Sequence, residues 1–187
     1  MALQLPLPKE RSLQLASQVD QASINSLTKS IIEINEEDEY LAKLAELNGF
    51  TYNPKPIIMR IDSYGGYLYQ CYGLLSVMEK SKIPIHTIVT GCAMSCGFMI
   101  AITGHKRFAY DKSTFMYHQL SSGEIGKLKE MEEAVMEGKR LQKILESHVI
   151  EKTKLTQEDL KKNYDKKKDW FINSKKALKL GIIDQII

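Results

Sequence analysis

Two short runs of aliphatic and β-branched residues, Ile57-Ile58-Met59-Arg60-Ile61-Asp62 and Ile85-His86-Thr87-Ile88-Val89-Thr90, each end in a break that opens into a helix-patterned segment. The first break is Ser63-Tyr64-Gly65-Gly66, and Leu68, Tyr72, Leu75 and Met78 behind it recur on one helical face. The second is Gly91-Cys92-Ala93-Met94-Ser95-Cys96-Gly97, followed by Phe98-Met99-Ile100-Ala101-Ile102, a continuous apolar run suited to a buried helix. Strand, helix, strand, helix in succession is the pattern of βαβ units on a parallel sheet. Active residues in such sheets gather beyond the carboxyl ends of the strands, where both breaks fall. The pattern predicts an α/β fold with Gly65-Gly66 and Ser95 facing one cleft.

The rest of the chain is read around that unit. Residues 1–12, with Pro6 and Pro8, form an extended arm. Asp20 is placed to cap a helix carrying Ile24, Leu27, Ile31 and Ile34 on one face. A second helix, from about Glu37 to Leu47, stops at Asn48-Gly49, and Tyr52-Asn53-Pro54-Lys55-Pro56 is a loop. Two short strands, near residues 107–110 and 114–118, make a hairpin about the turn Asp111-Lys112-Ser113. Ser121-Ser122-Gly123 opens a long helical region with Leu128, Met131, Val135, Leu145 and Val149 in a stripe, which either packs along the body or projects to another subunit. Thr156-x-x-Asp159 is a capping box for a short helix, and a last helix, Ser174 to Leu180, closes at Gly181.

With 187 residues the chain suits a single domain with a sizeable core. A net charge of +3, from 26 basic and 23 acidic side chains, gives little reason to expect nucleic acid. Lys161-Lys162 and Lys166-Lys167-Lys168 read as a solvated helix face. No apolar run reaches the roughly 18 residues of a membrane span, and the N-terminus lacks the basic start and long apolar core of a signal peptide. Cys71, Cys92 and Cys96 cannot all pair within one chain, so a reduced, cytoplasmic setting is expected.

Ser95 falls at the first turn of the second helix, where unpaired N–H groups and the positive dipole end favour developing negative charge. That makes it a candidate nucleophile, although Ser is common at helix starts for capping alone. His118 ends an alternating strand, as a base or as a satisfied core histidine; His86, His105 and His148 take the core reading. Cys92, Cys96, His105 and His118 have no zinc-site spacing, so no metal is expected. Ala93 stands where Gly-x-Ser-x-Gly needs its first glycine, which argues against an esterase of that fold.

Four segments, in order, resemble the ClpP family, the proteolytic subunits of Clp proteases. Gly91-Cys92-Ala93-Met94-Ser95-Cys96-Gly97 resembles the family's Gly-x-Ala-x-Ser-x-Gly, and Asp62-Ser63-Tyr64-Gly65-Gly66 resembles its Asn-Ser-Pro-Gly-Gly. Phe115-Met116-Tyr117-His118-Gln119 resembles Val-Met-Ile-His-Gln, and Asp169-Trp170-Phe171 with Ser174, Ala177 and Gly181-Ile182-Ile183-Asp184 resembles the segment bearing the family's aspartate. Weaker similarity begins near Arg11 and includes Val19-Asp20. The resemblance implies a ClpP/crotonase-type fold over residues 1–187, with an arm at 1–12 and a projecting handle over about 123–165. It implies a serine endopeptidase without cofactor or metal: Ser95 as nucleophile, His118 as base and Asp169 supporting it, Asp165 being a rival acid four residues earlier. The oxyanion hole would be the backbone N–H groups of Gly66 and Cys96, with Gly65, Leu120, Ser121 and Ser122 along the substrate groove. The implied partners are copies of the chain in stacked heptameric rings, polypeptide substrates and a separate AAA+ unfoldase, with no nucleic acid or membrane.

The departures from the family pattern are local. Tyr64 replaces a proline, Leu120-Ser121-Ser122-Gly123 replaces a Pro-containing, Gly-rich groove segment, and Trp170 replaces an arginine that pairs between rings. Glu37 to Lys55 resembles an insertion, and the arm is short beside the family's axial loop. A phage-type prohead protease acting without an ATPase, a non-catalytic ring subunit and a crotonase-like acyl-CoA enzyme are the competing expectations.

Overall fold

The computed structural model describes residues 10–165 and 169–187. Its sheet begins with β1 (Ser12–Leu15), β2 (Ile57–Ser63) and β3 (Ile85–Met94), paired in parallel through registers such as Leu13↔Met59 and Met59↔Thr87. Helix α1 (Gln21–Leu47) connects β1 to β2, and α2 (Leu68–Lys80) connects β2 to β3, the two helices packing on one another. The βαβ expectation is thus met. One face of β2 and β3 is fully buried, through Ile57, Met59 and Ile61 beside Ile85, Thr87 and Val89, while the other face, with Ile58, His86 and Ile88, is half-buried.

Beyond β3 the expected hairpin is absent. Strands β4 (Lys106–Ala109) and β5 (Thr114–Tyr117) do not pair with each other. Both run parallel to β3, β4 beside His86–Val89 and β5 beside Cys92–Met94. The turn at 110–113 is a step along one edge, held by the Ser113 hydroxyl donating to Val89 O at 2.7 Å. This is possible because β3 is ten residues long. Gly91 to Met94, expected as a turn, is the end of that strand. At Gly91 a Cβ would lie 2.4 Å from the Asp62 carboxylate, which accepts the Cys92 N–H at 2.9 Å where the β2–β3 register shifts.

The two helices expected before residue 48 are one. Nothing between Ile34 and Glu37 breaks a helix, and the acid on its inner face, Asp38, is buried against partners. The Arg11 guanidinium reaches both Asp38 oxygens, with Nη1 to Oδ2 at 2.6 Å, and also donates to Lys55 O. Tyr52 donates to the same carboxylate. Burial alone would push Asp38 up, but these bonds outweigh it and hold its pKa below the ordinary carboxylate range; burial and the adjacent anion push Tyr52 up to about 12.

Helix α3 (Cys96–Ile102) is buried throughout. The long helix α4 (Leu128–Lys152) starts later than Ser121-Ser122-Gly123 suggests, where the Lys127 N–H is capped by Glu130 at 2.8 Å. Its C-terminal half packs on the body through Leu141, Leu145 and Val149, while Leu128, Met131, Val135 and Met136 face solvent. The Thr156–Asp159 box forms as expected and starts α5 (Gln157–Asp165). Strand β6 (Trp170–Asn173) pairs antiparallel with β5, α6 (Ser174–Lys179) ends at Gly181, and β7 (Gln185–Ile186) adds to β4. Lys166-Lys167-Lys168 lie outside the described residues, as does most of the arm. Among the described residues no helix is long and apolar enough to cross a membrane.

Candidate active site

β3 delivers the chain to Ser95 under strain. Ser95 is the sole non-glycine residue of the described chain at positive φ, with φ 52° and ψ −120°. Such backbone typically costs about 1–3 kcal/mol and persists only where surrounding structure enforces it. Here the Ser95 N–H donates to Met116 O of β5 at 2.9 Å, and the Ser95 carbonyl accepts the Met99 N–H of α3 at 3.2 Å. The sharp turn is therefore made by Ser95 itself, held between a strand and a helix. His118 is the residue just past β5, and its Nε2 lies 2.8 Å from Ser95 Oγ.

The facing wall is the break after β2. Gly65 and Gly66 have φ of 97° and 154°. A Cβ on Gly65 would lie 2.7 Å from Met94 O, 2.8 Å from Ser95 Cβ and 2.9 Å from Cys96 N. Only glycine allows so close an approach to the nucleophile's turn. Val19 bridges this loop, its N–H donating to Gly65 O and its carbonyl accepting the Tyr67 N–H, both at 2.8 Å. The Gly66 N–H takes no part in that bridge. The Cys96 N–H, at the start of α3, has no intrahelical acceptor. Ser95, His118, Gly66, Cys96, Leu120 and Ser121 all line one cleft of about 340 Å³. Leu68, Met99, Met116 and Leu145 make its apolar side, and among the described residues no carboxylate, lysine or arginine lines it.

Asp169 is brought close without a hydrogen bond to the histidine. The antiparallel register ends at Tyr117↔Trp170, and His118 and Asp169 are the residues just beyond those two strand ends. Asp169 shares an adjoining pocket with His118, Ser122, Asn163 and Tyr164. Among the described residues no hydrogen bond joins it to the imidazole. Asp165 ends α5 and does not line that pocket.

The other histidines have structural partners. His105 Nδ1 accepts the Ile85 N–H at 3.0 Å, His148 Nε2 lies 2.8 Å from the Thr103 hydroxyl, and His86 packs against Phe108. The cysteines are free thiols in the core. Cys96 Sγ donates to Gly66 O at 3.2 Å and Cys71 Sγ to Cys96 O at 3.6 Å. A hydrogen bond to the Cys96 thiol, then burial, pushes the Cys71 thiol up; burial, then Asp62, pushes Cys92 up to about 11. Among the described residues no cluster of His, Cys, Asp and Glu could hold a metal. Val19, noted in the sequence only within a weaker similarity, contributes to the site through its backbone, and Tyr64, noted as a replacement for proline, places an exposed ring at the cleft.

The family model described as Clp protease matches residues 3–187, nearly the whole chain. The chain belongs to the Clp protease family. It is 30% identical over 184 residues to an ATP-dependent Clp protease proteolytic subunit of Deinococcus radiodurans, covering 97% of this chain and 82% of that protein. It is 28% identical to proteolytic subunit 2 of Bacillus licheniformis, over 97% of this chain and 88% of the other. A Porphyromonas gingivalis proteolytic subunit is 27% identical, over 97% and 75%. Within this Clp protease family member, Trp170 is half-buried with the Lys176 ammonium 5.1 Å over its ring.

Proposed function

We propose that this Clp protease family member is a serine endopeptidase with Ser95 as nucleophile. The observation that carries the reading is the 2.8 Å contact of His118 Nε2 with the hydroxyl of the one strained non-glycine residue described. Ser95 Oγ attacks the scissile carbonyl carbon as its proton passes to His118 Nε2. The carbonyl oxygen becomes an oxyanion received by the Gly66 and Cys96 N–H groups, donors typically worth about 3–4 kcal/mol each in such sites. The intermediate collapses, the C–N bond breaks, and His118 returns the proton to the departing amine. Water, deprotonated by His118, then attacks the acyl-enzyme and frees Ser95. Asp169 is assigned the support of the imidazolium, because it shares a pocket with His118 and adjoins the last β5–β6 pair. The apolar cleft wall supports a Leu- or Met-sized side chain before the cut.

The relatives are named proteolytic subunits of ATP-dependent Clp proteases, which supports a ring-forming assembly fed with polypeptide by a separate unfoldase. The test is fluorophosphonate labelling and peptide hydrolysis on the native-sized particle, wild type beside Ser95→Ala. Labelling and hydrolysis that vanish together in the variant are expected. Failure of the wild type to label would overturn the reading in favour of a non-catalytic subunit. Failure of an active particle to bind any Clp unfoldase would move it to a self-contained maturation protease.

A further inference from the structure

One polar side chain sits in the buried half of α4, and its bonds lead to both sides of the proposed base. Gln142 is 7% exposed, between the buried Leu141 and Leu145. Its Oε1 accepts the backbone N–H of Leu120, two residues after His118, at 2.8 Å. Its Nε2 donates to Glu146 Oε1 at 2.9 Å and lies 3.5 Å from the hydroxyl of Tyr117, the residue before His118. Glu146 Oε2 in turn accepts from Gln157 Nε2 of α5 at 2.9 Å. These partners fix the amide's orientation: an N–H must meet an acceptor, so Oε1 faces Leu120 and the NH₂ faces the carboxylate.

A glutamine in a buried stripe is unfavourable unless every polar atom is used. Here both are used: the Nε2 bond to Glu146 stays within α4, and the Oε1 bond leaves the helix for the Leu120 N–H. β5 ends at Tyr117, so beyond it no strand partner holds residues 118–120; the helix does so instead. We propose that Gln142 is a positioning residue, an amide brace on α4 that holds the His118–Leu120 segment in the geometry that sets the base against Ser95 and keeps Leu120 at the cleft. This rests on the peptidase reading given above. The brace also links that segment, through Glu146 and Gln157, to the helix that precedes Asp169.

The experiment compares wild type with Gln142→Met, Gln142→Glu and the exchanged pair Gln142→Glu/Glu146→Gln, assayed as native-sized particles well below each variant's melting temperature. Methionine keeps the volume and removes both bonds. Glutamate keeps the acceptor for Leu120 but sets two carboxylates together. The exchanged pair restores an acceptor for Leu120 and a donor between positions 142 and 146. Because a misplacement of about 1 Å can slow an enzyme about 100-fold, Gln142→Met is expected to lower kcat and the fluorophosphonate labelling rate of Ser95 by about tenfold or more. Gln142→Glu should fall similarly, and the exchanged pair should return to within about threefold of wild type. A merely structural glutamine would lower the melting temperature and leave the labelling rate of the folded particle unchanged, which would overturn the proposal. If Gln142→Met does not fold, an exchanged pair no faster in labelling than Gln142→Glu overturns it equally. A wild type that neither labels nor cleaves overturns the peptidase reading and the brace with it; an active wild type with a fully active Gln142→Met overturns the brace alone.

Discussion

Replacing Gly65 by alanine puts the proposed site's tolerance to a direct test. The methyl group would meet Met94 O at 2.7 Å, Ser95 Cβ at 2.8 Å and Cys96 N at 2.9 Å, on a backbone with φ of 97°. Strain at such a φ is worth about 1–3 kcal/mol for a residue with a Cβ. Relief of the contacts needs a displacement of a good fraction of an ångström, and all three neighbours belong to the turn that presents Ser95. A loss of about 3 kcal/mol at about 2–4 °C per kcal/mol lowers the melting temperature by roughly 6–12 °C. The displacement should also lower kcat/KM for a peptide substrate by about 100-fold at temperatures where the variant is folded. Gly73→Ala is the matched control: it lies inside α2 with nothing within 4 Å of the added methyl, so a gain of about 0.5–1 kcal/mol with unchanged turnover is expected. Thermal melting and steady-state hydrolysis on both variants decide the matter. A Gly65→Ala protein with wild-type kcat/KM would show that the close approach of the two breaks is irrelevant to catalysis.

Four further results are expected. Cys96→Ala keeps the amide that the proposed oxyanion hole uses, so its kcat should stay within about fivefold of wild type, losing the weak thiol bonds to Gly66 O and with Cys71; a drop comparable to Ser95→Ala would implicate the thiol itself. Arg11→Met leaves the buried Asp38 without its cation and should destabilise by about 3–5 kcal/mol, with Arg11→Met/Asp38→Leu recovering most of it by thermal melting. The Asp38 pKa is lowered in the folded chain, so its contribution is present above the ordinary carboxylate range and lost as pH falls through the folded value; melting of Asp38→Asn should accordingly be less acid-sensitive than wild type below about pH 4. Fluorogenic peptides with Leu or Met before the cut should be hydrolysed at least about tenfold faster than those with Asp or Glu, since among the described residues no lysine or arginine lines the cleft to receive a carboxylate, and a reversed order would refute the apolar assignment.

The strongest sequence signals were those in which local chemistry and the final environment agree. The aliphatic and β-branched runs of β2 and β3 form strands whose alternate side chains fill the core, and Asp20 and Thr156 cap helices with atoms within three residues. Ser95 and His118 were readable through motif and order, and they meet at 2.8 Å. The misses share a different cause. Whether residues 107–118 form a hairpin or a stepped edge depends on how far β3 runs, a property of another segment. The break expected before Glu37 is absent, and the partners that bury Asp38 there, Arg11 and Tyr52, lie 27 and 14 residues away. Asp169 was legible as an acid of the right segment, but its closeness to His118 depends on β5–β6 pairing. Gln142 looks like an ordinary surface residue until the Leu120 N–H is placed beside it.

The bond from the Ser95 N–H to Met116 O ties the serine to a strand that is synthesised later and is itself paired with β6, near the C-terminus. A growing chain therefore carries its serine on a turn that still lacks its bond to β5, with the histidine still to come. The proposed cutting power of this molecule is thus among the last properties acquired during its own synthesis, since a product that stops before residue 118 lacks the proposed base.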